Sequence, residues 1–299
     1  MMRRVMTRLP AARVVSRARL YSSSSSSSSS TSPETAESAS HIVVQHKEGG
    51  MASVVLSNPP VNTISKSVAD EFIATLRELE DDVTVRGFVL GSAVPGVFSA
   101  GIHLPEMLMG SDGSTDGLAN YWTSMQEMWL ALYTTRLATV AAIPGHCIAG
   151  GCMLAWACDH RVMVEGKGTI GLNETKFGLV PPLWLSRMLV DLVGPRMAER
   201  MATRGEMISA EEACRLGVVD SVVQLSRLAD EAQAQLAELL SVNDTARGST
   251  KQMLRADAAE ALRKHQDEDL DWFVTLVSTP EVQSAIATYL ESLSNKKSS

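Results

Sequence analysis

The 299-residue sequence has no apolar run of the length that a membrane-spanning helix needs, which is ~18 residues or more. Cysteine is also scarce, and its four copies form no CxxC pair and have no matching histidine cluster. We therefore expect neither a zinc site nor a disulfide framework, and predict buried free thiols in a reducing compartment. The cysteines are Cys147, Cys152, Cys158 and Cys214.

Basic residues are few beyond the N-terminus. The chain has 27 Lys and Arg against 34 Asp and Glu, but six arginines and no acid lie in residues 1–33. The remainder therefore has 21 basic against 34 acidic residues, a balance of −13. Such a body repels phosphate backbones and anionic lipids, so neither nucleic acid nor a membrane surface is expected as the main partner. The hydrophobic content of 45% predicts a sizeable globular core.

The N-terminal segment has the composition of an organellar transit peptide. Its arginines are spaced among small and apolar residues, and the first acidic residue is Glu34. Arg19-Leu20-Tyr21-Ser22 resembles a mitochondrial processing site, and the serine run over 22–30 cannot build a core. We predict that residues 1–40 are a transit peptide with a Ser-rich disordered segment, which directs the protein to the mitochondrial matrix. The alternative is a basic disordered tail that is never removed.

The rest of the chain alternates strand and helix signals, which is typical of a mixed α/β fold. Two strand-like runs flank Gly49-Gly50 and predict a hairpin, and Ser65 or Ser67 can cap the first helix. We predict an α/β core over residues 41–205 and a helical region over residues 206–299. Strands are predicted near 42–44, 53–56, 87–90, 137–143 and 161–164, and further helices near 118–133, 150–157, 183–192, 209–216, 228–240, 256–277 and 280–293.

Two glycine-containing loops are candidate anion sites. At Gly150-Gly151 a loop ends and an apolar helix begins at once, so the first free N–H groups of that helix can face an oxyanion. Phe98-Ser99-Ala100-Gly101 is a second small-residue turn after a strand. Two convergent N–H donors are what a thioester enolate requires, each being worth about 10²–10³ in rate. Read singly, each loop is also compatible with an ordinary tight turn.

Glu174 is a carboxylate in a largely apolar stretch, with Phe177, Leu179, Val180 and Trp184 beyond it. If it is desolvated, its pKa rises and it becomes a better base, which suits proton abstraction beside a carbonyl. The alternative is a solvated loop glutamate, since most acidic side chains are exposed.

A GxGxxG match at residues 166–171 does not predict a dinucleotide site. Such a site needs a helix that begins at the last glycine, whereas Gly178, Pro181 and Pro182 interrupt any helix there. The sequence also has no GxSxG or HExxH motif, and its six histidines show no ligand spacing.

Six segments, in this order and with these separations, resemble the crotonase (enoyl-CoA hydratase/isomerase) family over residues 42–293. They are Asn58-Pro59-Pro60-Val61-Asn62, Pro95-Gly96-Val97-Phe98-Ser99-Ala100-Gly101, Tyr121-Trp122, Ala149-Gly150-Gly151-Cys152, Gly171-Leu172-Asn173-Glu174-Thr175 and Gly217-Val218-Val219-Asp220. Within the family, the resemblance is nearest to the isomerases that move a double bond from position 3 to position 2 of an enoyl-CoA.

The resemblance implies a spiral of ββα units with C-terminal helices that build a homotrimer. It also implies an oxyanion hole formed by the N–H groups of Ala100 and Gly150, with Glu174 as the base. The implied ligand is a fatty acyl thioester of coenzyme A, which belongs to the substrate, so no separate cofactor is expected. A substrate-binding loop is implied as well, and with Gly150 it comprises Ala100, Gly101, Ile102, His103 and Leu104.

The residue at position 153 distinguishes the hydratases of the family from the isomerases. Hydratases carry a second glutamate at this position, which this chain lacks. A 1,3 proton shift needs only one carboxylate, because C2 and C4 of an allylic system are only about 2.5 Å apart. We therefore expect an isomerase that converts 3-enoyl-CoA to trans-2-enoyl-CoA in fatty acid β-oxidation.

The resemblance also bears on three further side chains, His103, Trp184 and Leu185. His103 occupies a position where many relatives carry aspartate, and we expect it to shape the loop. Trp184 and Leu185 are expected to line the acyl pocket. The alternative functions are an enoyl-CoA hydratase or a dienoyl-CoA isomerase on the same fold, and a non-catalytic RNA-binding relative, which the charge of −13 disfavours.

Overall fold

The computed structural model describes residues 40–110, 112–166 and 168–297. The predicted leader, apart from residue 40, lies outside these residues. From residue 40 onward the chain forms one compact unit.

Twelve strands are present in the described residues: β1 (Ile42–Lys47), β2 (Met51–Leu56), β3 (Thr63–Ile64), β4 (Gly87–Ser92), β5 (Val97–Ser99), β6 (Gly101–Ile102), β7 (Ala138–Ile143), β8 (His146–Ile148), β9 (His160–Val164), β10 (Thr169–Gly171), β11 (Ile208–Ser209) and β12 (Ser221–Val223). The helices are α1 (Lys66–Asp81), α2 (Asp116–Thr134), α3 (Gly150–Ala157), α4 (Leu183–Val193), α5 (Pro195–Arg204), α6 (Ala210–Leu216), α7 (Leu228–Leu239), α8 (Asp244–Lys264), α9 (Gln266–Val277) and α10 (Pro280–Lys297). The mixed α/β prediction is thus confirmed.

The main sheet has six strands in the order β1-β2-β4-β7-β9-β12. The predicted hairpin is present, since β1 and β2 pair antiparallel, whereas the other neighbours are parallel. All six residues of β7 are buried, as expected for a parallel strand covered on both faces. The Ser65 side chain caps α1 by accepting from the Val68 N–H, which confirms one of the two predicted caps.

A second sheet has the order β11-β10-β8-β5, and within it β5, β8 and β10 are parallel. The carboxyl ends of parallel strands meet at the same edge of a sheet. The Ala100 loop follows β5, Gly150 follows β8, and Glu174 follows β10. The fold therefore brings together the three segments that the sequence analysis singled out.

The C-terminal part differs in two respects from its predicted pattern. It contains two short strands in addition to the predicted helices, because β11 pairs with β10 and β12 joins β9 in the main sheet. The predicted helix over 256–277 is two helices, α8 and α9, which meet at His265. A continuous amphipathic pattern does not reveal this break, since both helices bury apolar side chains.

Three further predictions concern single features. Cys147, Cys152 and Cys158 are buried free thiols as predicted, but Cys214 is exposed. No helix begins at Gly171, because a 3₁₀ turn over Glu174–Phe177 follows β10. Across the described part of the chain, no helix is both long and apolar enough to cross a membrane.

Candidate active site

The first candidate donor is the N–H of Gly150, at the start of α3. All eight residues of this helix are buried, and Gly150, as its first residue, has no preceding turn whose carbonyl could accept from its N–H. Ala149 precedes it with a φ of 51°, a region that residues with a side chain rarely adopt. Its N–H donates to the Gly171 carbonyl at 3.0 Å. A strained residue held in this way fixes the direction of the Gly150 N–H.

The loop after β5 is held by a buried polar network. The side-chain amide of Asn62 donates to the Phe98 carbonyl at 3.0 Å, and the Ser99 hydroxyl donates to the Asn62 carbonyl at 2.6 Å. The N–H of Gly101 donates in turn to the Ser99 hydroxyl oxygen at 3.0 Å. Asn62 and Ser99 are buried, so these bonds form in a medium of low polarity and fix the loop in one conformation.

The structure corrects the assignment of Ala100 as a donor. Its N–H already donates to the Val61 carbonyl at 2.9 Å, so it is not free to bind an oxyanion. The next amides belong to β6, which pairs with β3. The His103 N–H donates to the Ile64 carbonyl of that strand at 3.1 Å. Because neighbouring amides of a strand point to opposite sides, the Ile102 N–H points away from β3.

Ile102 is therefore the second candidate donor. Its amide nitrogen lies 3.3 Å from the position that a β-carbon on Gly150 would occupy. A β-carbon on Gly101 would in turn lie 2.8 Å from the Ile148 carbonyl oxygen and 3.0 Å from the Gly150 nitrogen. Glycine at 101 and 150 thus permits the two loops to pack backbone against backbone, which brings the Ile102 and Gly150 amides together.

Glu174 is buried, with only 8% of its surface exposed. Burial raises the pKa of its carboxyl from the usual 4.5 to about 7. Within the described residues its Oε2 has no hydrogen-bond partner. The prediction of a desolvated carboxylate is therefore confirmed, and the alternative of a solvated loop glutamate is wrong.

Ile102, Gly150 and Glu174 line one cavity, which has about 510 Å³ of empty space that is partly open to solvent. Met153, Trp184 and Leu185 line it as well. Among the described lining residues, Glu174 is the only one with an ionisable side chain. The others are Met107, Trp122, Met125, Ala149, Leu179, Val180, Pro182, Phe273, Leu276 and Val277.

The remaining residues of the predicted loop lie beside the cavity rather than in its lining. The N–H of His103 contacts the Tyr121 hydroxyl oxygen at 3.0 Å, and its Nδ1 lies 3.0 Å from the Thr63 hydroxyl. These contacts support a loop-shaping role for His103. Leu104 begins a 3₁₀ turn, Leu104–Met107, whose last residue reaches the cavity.

The cavity has an aromatic wall, in which the sequence predicts Trp184 but carries no signal for its neighbours Trp122 and Phe273. Trp122 stacks on Phe273 with ring centroids 3.7 Å apart and lies 6.0 Å from Trp184. The Asp269 carboxylate accepts from the Trp122 indole N–H at 2.8 Å and from that of Trp184 at 3.4 Å. Phe273 and Asp269 belong to α9, whose sequence indicates an amphipathic helix but not which surface it covers.

Comparison with known proteins shows the family to which the chain belongs. Residues 46–297 match the model of the enoyl-CoA hydratase/isomerase family, and the chain belongs to this crotonase family. It is 40% identical over 262 residues to the mouse (Mus musculus) protein enoyl-CoA delta isomerase 1, mitochondrial, covering 87% of this chain and 90% of that protein. The human (Homo sapiens) protein of that name is 38% identical over 261 residues, covering 87% and 85%.

A solved structure extends the likeness to the fold. The crystal structure of human mitochondrial delta3-delta2-enoyl-CoA isomerase matches with a TM-score of 0.83 at 38% identity, covering 86% of this chain and all of that chain. The family and the crotonase-like fold predicted from the six segments are therefore confirmed.

Proposed function

We propose that this protein is an enoyl-CoA isomerase that converts cis- or trans-3-enoyl-CoA to trans-2-enoyl-CoA. One observation carries the proposal: Glu174 is the only ionisable side chain among the described residues that line the cavity. The same cavity is lined by the two candidate backbone donors, Ile102 and Gly150. The names of the mouse and human relatives support the same activity. The acyl group would lie in the apolar cavity, with its thioester oxygen at the Ile102 and Gly150 amides.

The reaction begins with the ionised Glu174 carboxylate, which takes a proton from C2 of the 3-enoyl thioester. The C2–H electron pair moves into the thioester, and its oxygen becomes an enolate that accepts hydrogen bonds from Ile102 and Gly150. The enolate then returns its electrons, so that the thioester C=O re-forms, the C1=C2 pair becomes the C2=C3 double bond, and the former C3=C4 pair takes the proton from Glu174 at C4, about 2.5 Å from C2 by covalent geometry. No net oxidation occurs, so the step needs no redox cofactor.

The environment of Glu174 suits this cycle. A base whose pKa is about 7 is partly ionised at neutral pH and returns its proton readily. The neighbouring Cys152 does not compete, because burial raises the pKa of its thiol well above its usual value and keeps it neutral. Met153, which is 2% exposed, places a thioether where the hydratase alternative requires a second carboxylate.

The test is an isomerase assay with Glu174→Gln, which keeps the shape of the side chain and removes the base. We expect a loss of about 10³-fold or more in kcat, whereas Glu211→Gln, at an exposed position, keeps wild-type turnover. Full turnover by Glu174→Gln would overturn the assignment of the base.

Mass spectrometry of the product tests the alternatives. Isomerisation leaves the mass unchanged, while hydration of 2-enoyl-CoA adds one water. An efficient gain of water by the wild-type enzyme would favour the hydratase, and turnover restricted to dienoyl-CoA would favour the dienoyl-CoA isomerase. RNA retention in a filter-binding assay at ~0.15 M salt would favour the binding protein.

We also propose a location in the mitochondrial matrix and a homotrimeric assembly. The arginine-rich, acid-free start of the chain and the word "mitochondrial" in the names of the relatives support the location. Residues 1–40 fused to a fluorescent protein should reach the matrix, and light scattering should give three times the chain mass. A cytosolic fusion or a monomer would contradict the respective proposal.

A further inference from the structure

The last helix, α10, contacts two turns that flank the candidate active site. One is the 3₁₀ turn Leu104–Met107, which follows the donor Ile102, and the other is Glu174–Phe177, which begins with the base. The helix thus touches both halves of the site, although none of its described side chains lines the cavity. The two contacts differ in chemistry.

The contact on the donor side is polar and centres on Gln283. Its carboxamide oxygen accepts from the Met109 N–H at 2.9 Å, while its nitrogen donates to the carbonyls of Met107 and Val277, each at 2.9 Å. Two carbonyl partners require the NH₂ group, so these partners also fix the orientation of the amide. One side chain therefore joins α10, the loop after Ile102 and the end of α9.

The contact on the base side is aromatic. Tyr289, six residues further along α10, meets Phe177 edge to face with ring centroids 4.8 Å apart. Phe177 ends the 3₁₀ turn that Glu174 begins. The helix therefore has one fixed contact on each side of the cavity.

The groups that Gln283 joins are walls of the same cavity. Met107 and Val277 are fully buried and both line it together with Glu174. A side chain that fixes the distance between them also fixes where the loop carrying Ile102 lies. Catalysis by backbone donors depends on such placement, since a displacement of about 1 Å costs about 10²-fold in rate.

We propose that Gln283 is a positioning residue that joins α10 to Met107 and Val277 and so, together with the Tyr289–Phe177 contact on the base side, holds the Ile102 donor in place relative to Glu174. The inference rests on the proposed isomerase function. It assigns a role in turnover to a side chain outside the cavity lining.

Two substitutions of Gln283 test its three hydrogen bonds. Gln283→Met has a similar length and removes all three hydrogen bonds. Gln283→Glu keeps an acceptor for the Met109 N–H but places carboxylate oxygens against two carbonyls, so it should be at least as harmful. Ser284→Ala, at the exposed neighbouring position on α10, is the matched control.

Two measurements are made on the full-length folded enzyme. Saturating kinetics should show a fall in kcat of about tenfold or more for both Gln283 variants, with the control within about twofold. Hydrogen exchange should show faster exchange of the Met109 amide, which has lost its acceptor in Gln283→Met, at temperatures where the variants remain fully folded.

If the Gln283 contact only stabilises the fold, both Gln283 variants should have a lower melting temperature but a wild-type kcat per folded molecule. That result, or an unchanged exchange rate at Met109, would overturn the inference. Failure of the proposed function is recognised separately, because the wild-type enzyme would then not isomerise 3-enoyl-CoA, while the exchange measurement would still decide whether Gln283 holds the loop.

Discussion

The α-carbon of Gly101 lies 3.3 Å from the position that a β-carbon on Gly150 would occupy. This is closer than ordinary van der Waals contact, and backbone atoms rather than flexible side chains supply the contact. Gly150 is thus required for the meeting of two loops that follow parallel strands, and Gly101 is required both for this meeting and for its φ of 90°, which residues with a side chain rarely adopt. That meeting brings the Ile102 and Gly150 amides into one cavity.

Gly150→Ala should disrupt this meeting. The added methyl group would lie 3.3 Å from the Ile102 nitrogen, so the neighbouring loop must shift by a few tenths of an ångström, which changes the alignment of the two amides. We expect kcat to fall by about 10²-fold, the value of one oxyanion donor. The matched control is Gly117→Ala, where a β-carbon has open space. Equal kcat in both variants would remove Gly150 from the proposed donor pair.

The sequence identified Gly150 and Glu174 because each has a local signal. A glycine pair before an apolar helix predicts free amides, and a carboxylate within an apolar stretch predicts desolvation. The donor on the other loop has no such signal. Whether Ala100 or Ile102 offers its N–H depends on how this loop pairs with residues 61–64, and that register is set by tertiary structure.

Only some of the residues that line the cavity could be predicted from the sequence. Trp184 and Leu185 follow Glu174 closely along the chain, and the apolar character of that stretch identified them. Phe273 and Asp269 come about a hundred residues later, on a helix whose partner surface the periodicity does not specify. The same limit applies to Gln283, whose three partners are distant backbone groups.

The raised pKa of Glu174 predicts an acid limb in the pH dependence of kcat/KM. The carboxylate must be ionised to accept the C2 proton, so activity should rise about tenfold per pH unit below the pKa and level off above about 7. Initial rates at low substrate concentration between pH 5 and 9 measure this limb. A midpoint near the ordinary value of 4.5 would show that the carboxyl is solvated in solution.

Burial of Glu174 also predicts a pH dependence of stability. Above pH 4.5 the unfolded chain releases this proton while the folded protein retains it up to about 7, so the free energy of unfolding falls as pH rises through this interval. The difference corresponds to about 3 kcal/mol. Glu174→Gln does not titrate, so at pH 8 it should be more stable than wild type by up to about this amount.

Urea unfolding of both proteins at pH 4 and pH 8 tests this prediction. The comparison cancels other titrating groups, because they are common to both proteins. A stability difference that is the same at the two pH values would mean that Glu174 ionises freely in the folded state.

Met153→Glu should add hydratase chemistry. The new carboxylate would enter the same cavity as Glu174, where two acids can activate water and protonate carbon. Like charges in a desolvated site raise one of the two pKa values, so we expect isomerase turnover to fall by about tenfold while hydration of trans-2-enoyl-CoA becomes measurable. Met153→Gln, which cannot act as an acid, should lower isomerisation without adding water. Hydration by neither variant would show that the cavity does not position water.

A buried ion pair should matter more for stability than an exposed one. The Lys251 ammonium donates to the Leu137 carbonyl at 2.8 Å and to Asp159 at 2.9 Å, and burial lowers its pKa. The Arg255 guanidinium lies 3.1 Å from the same carboxylate. This cluster joins α8 to the start of β7 and to the residue pair that follows α3, the helix whose first amide is the Gly150 donor.

Lys251→Met should lower the free energy of unfolding by about 3 kcal/mol, because it leaves a largely buried carboxylate with one cation and a carbonyl with no donor. The control is Lys66→Met, whose pair with Asp70 has side chains 45% and 49% exposed and should contribute less than about 1 kcal/mol. Urea denaturation at pH 7 measures both changes. Equal losses would imply that solvent reaches the Lys251 cluster and screens it as it does the surface pair.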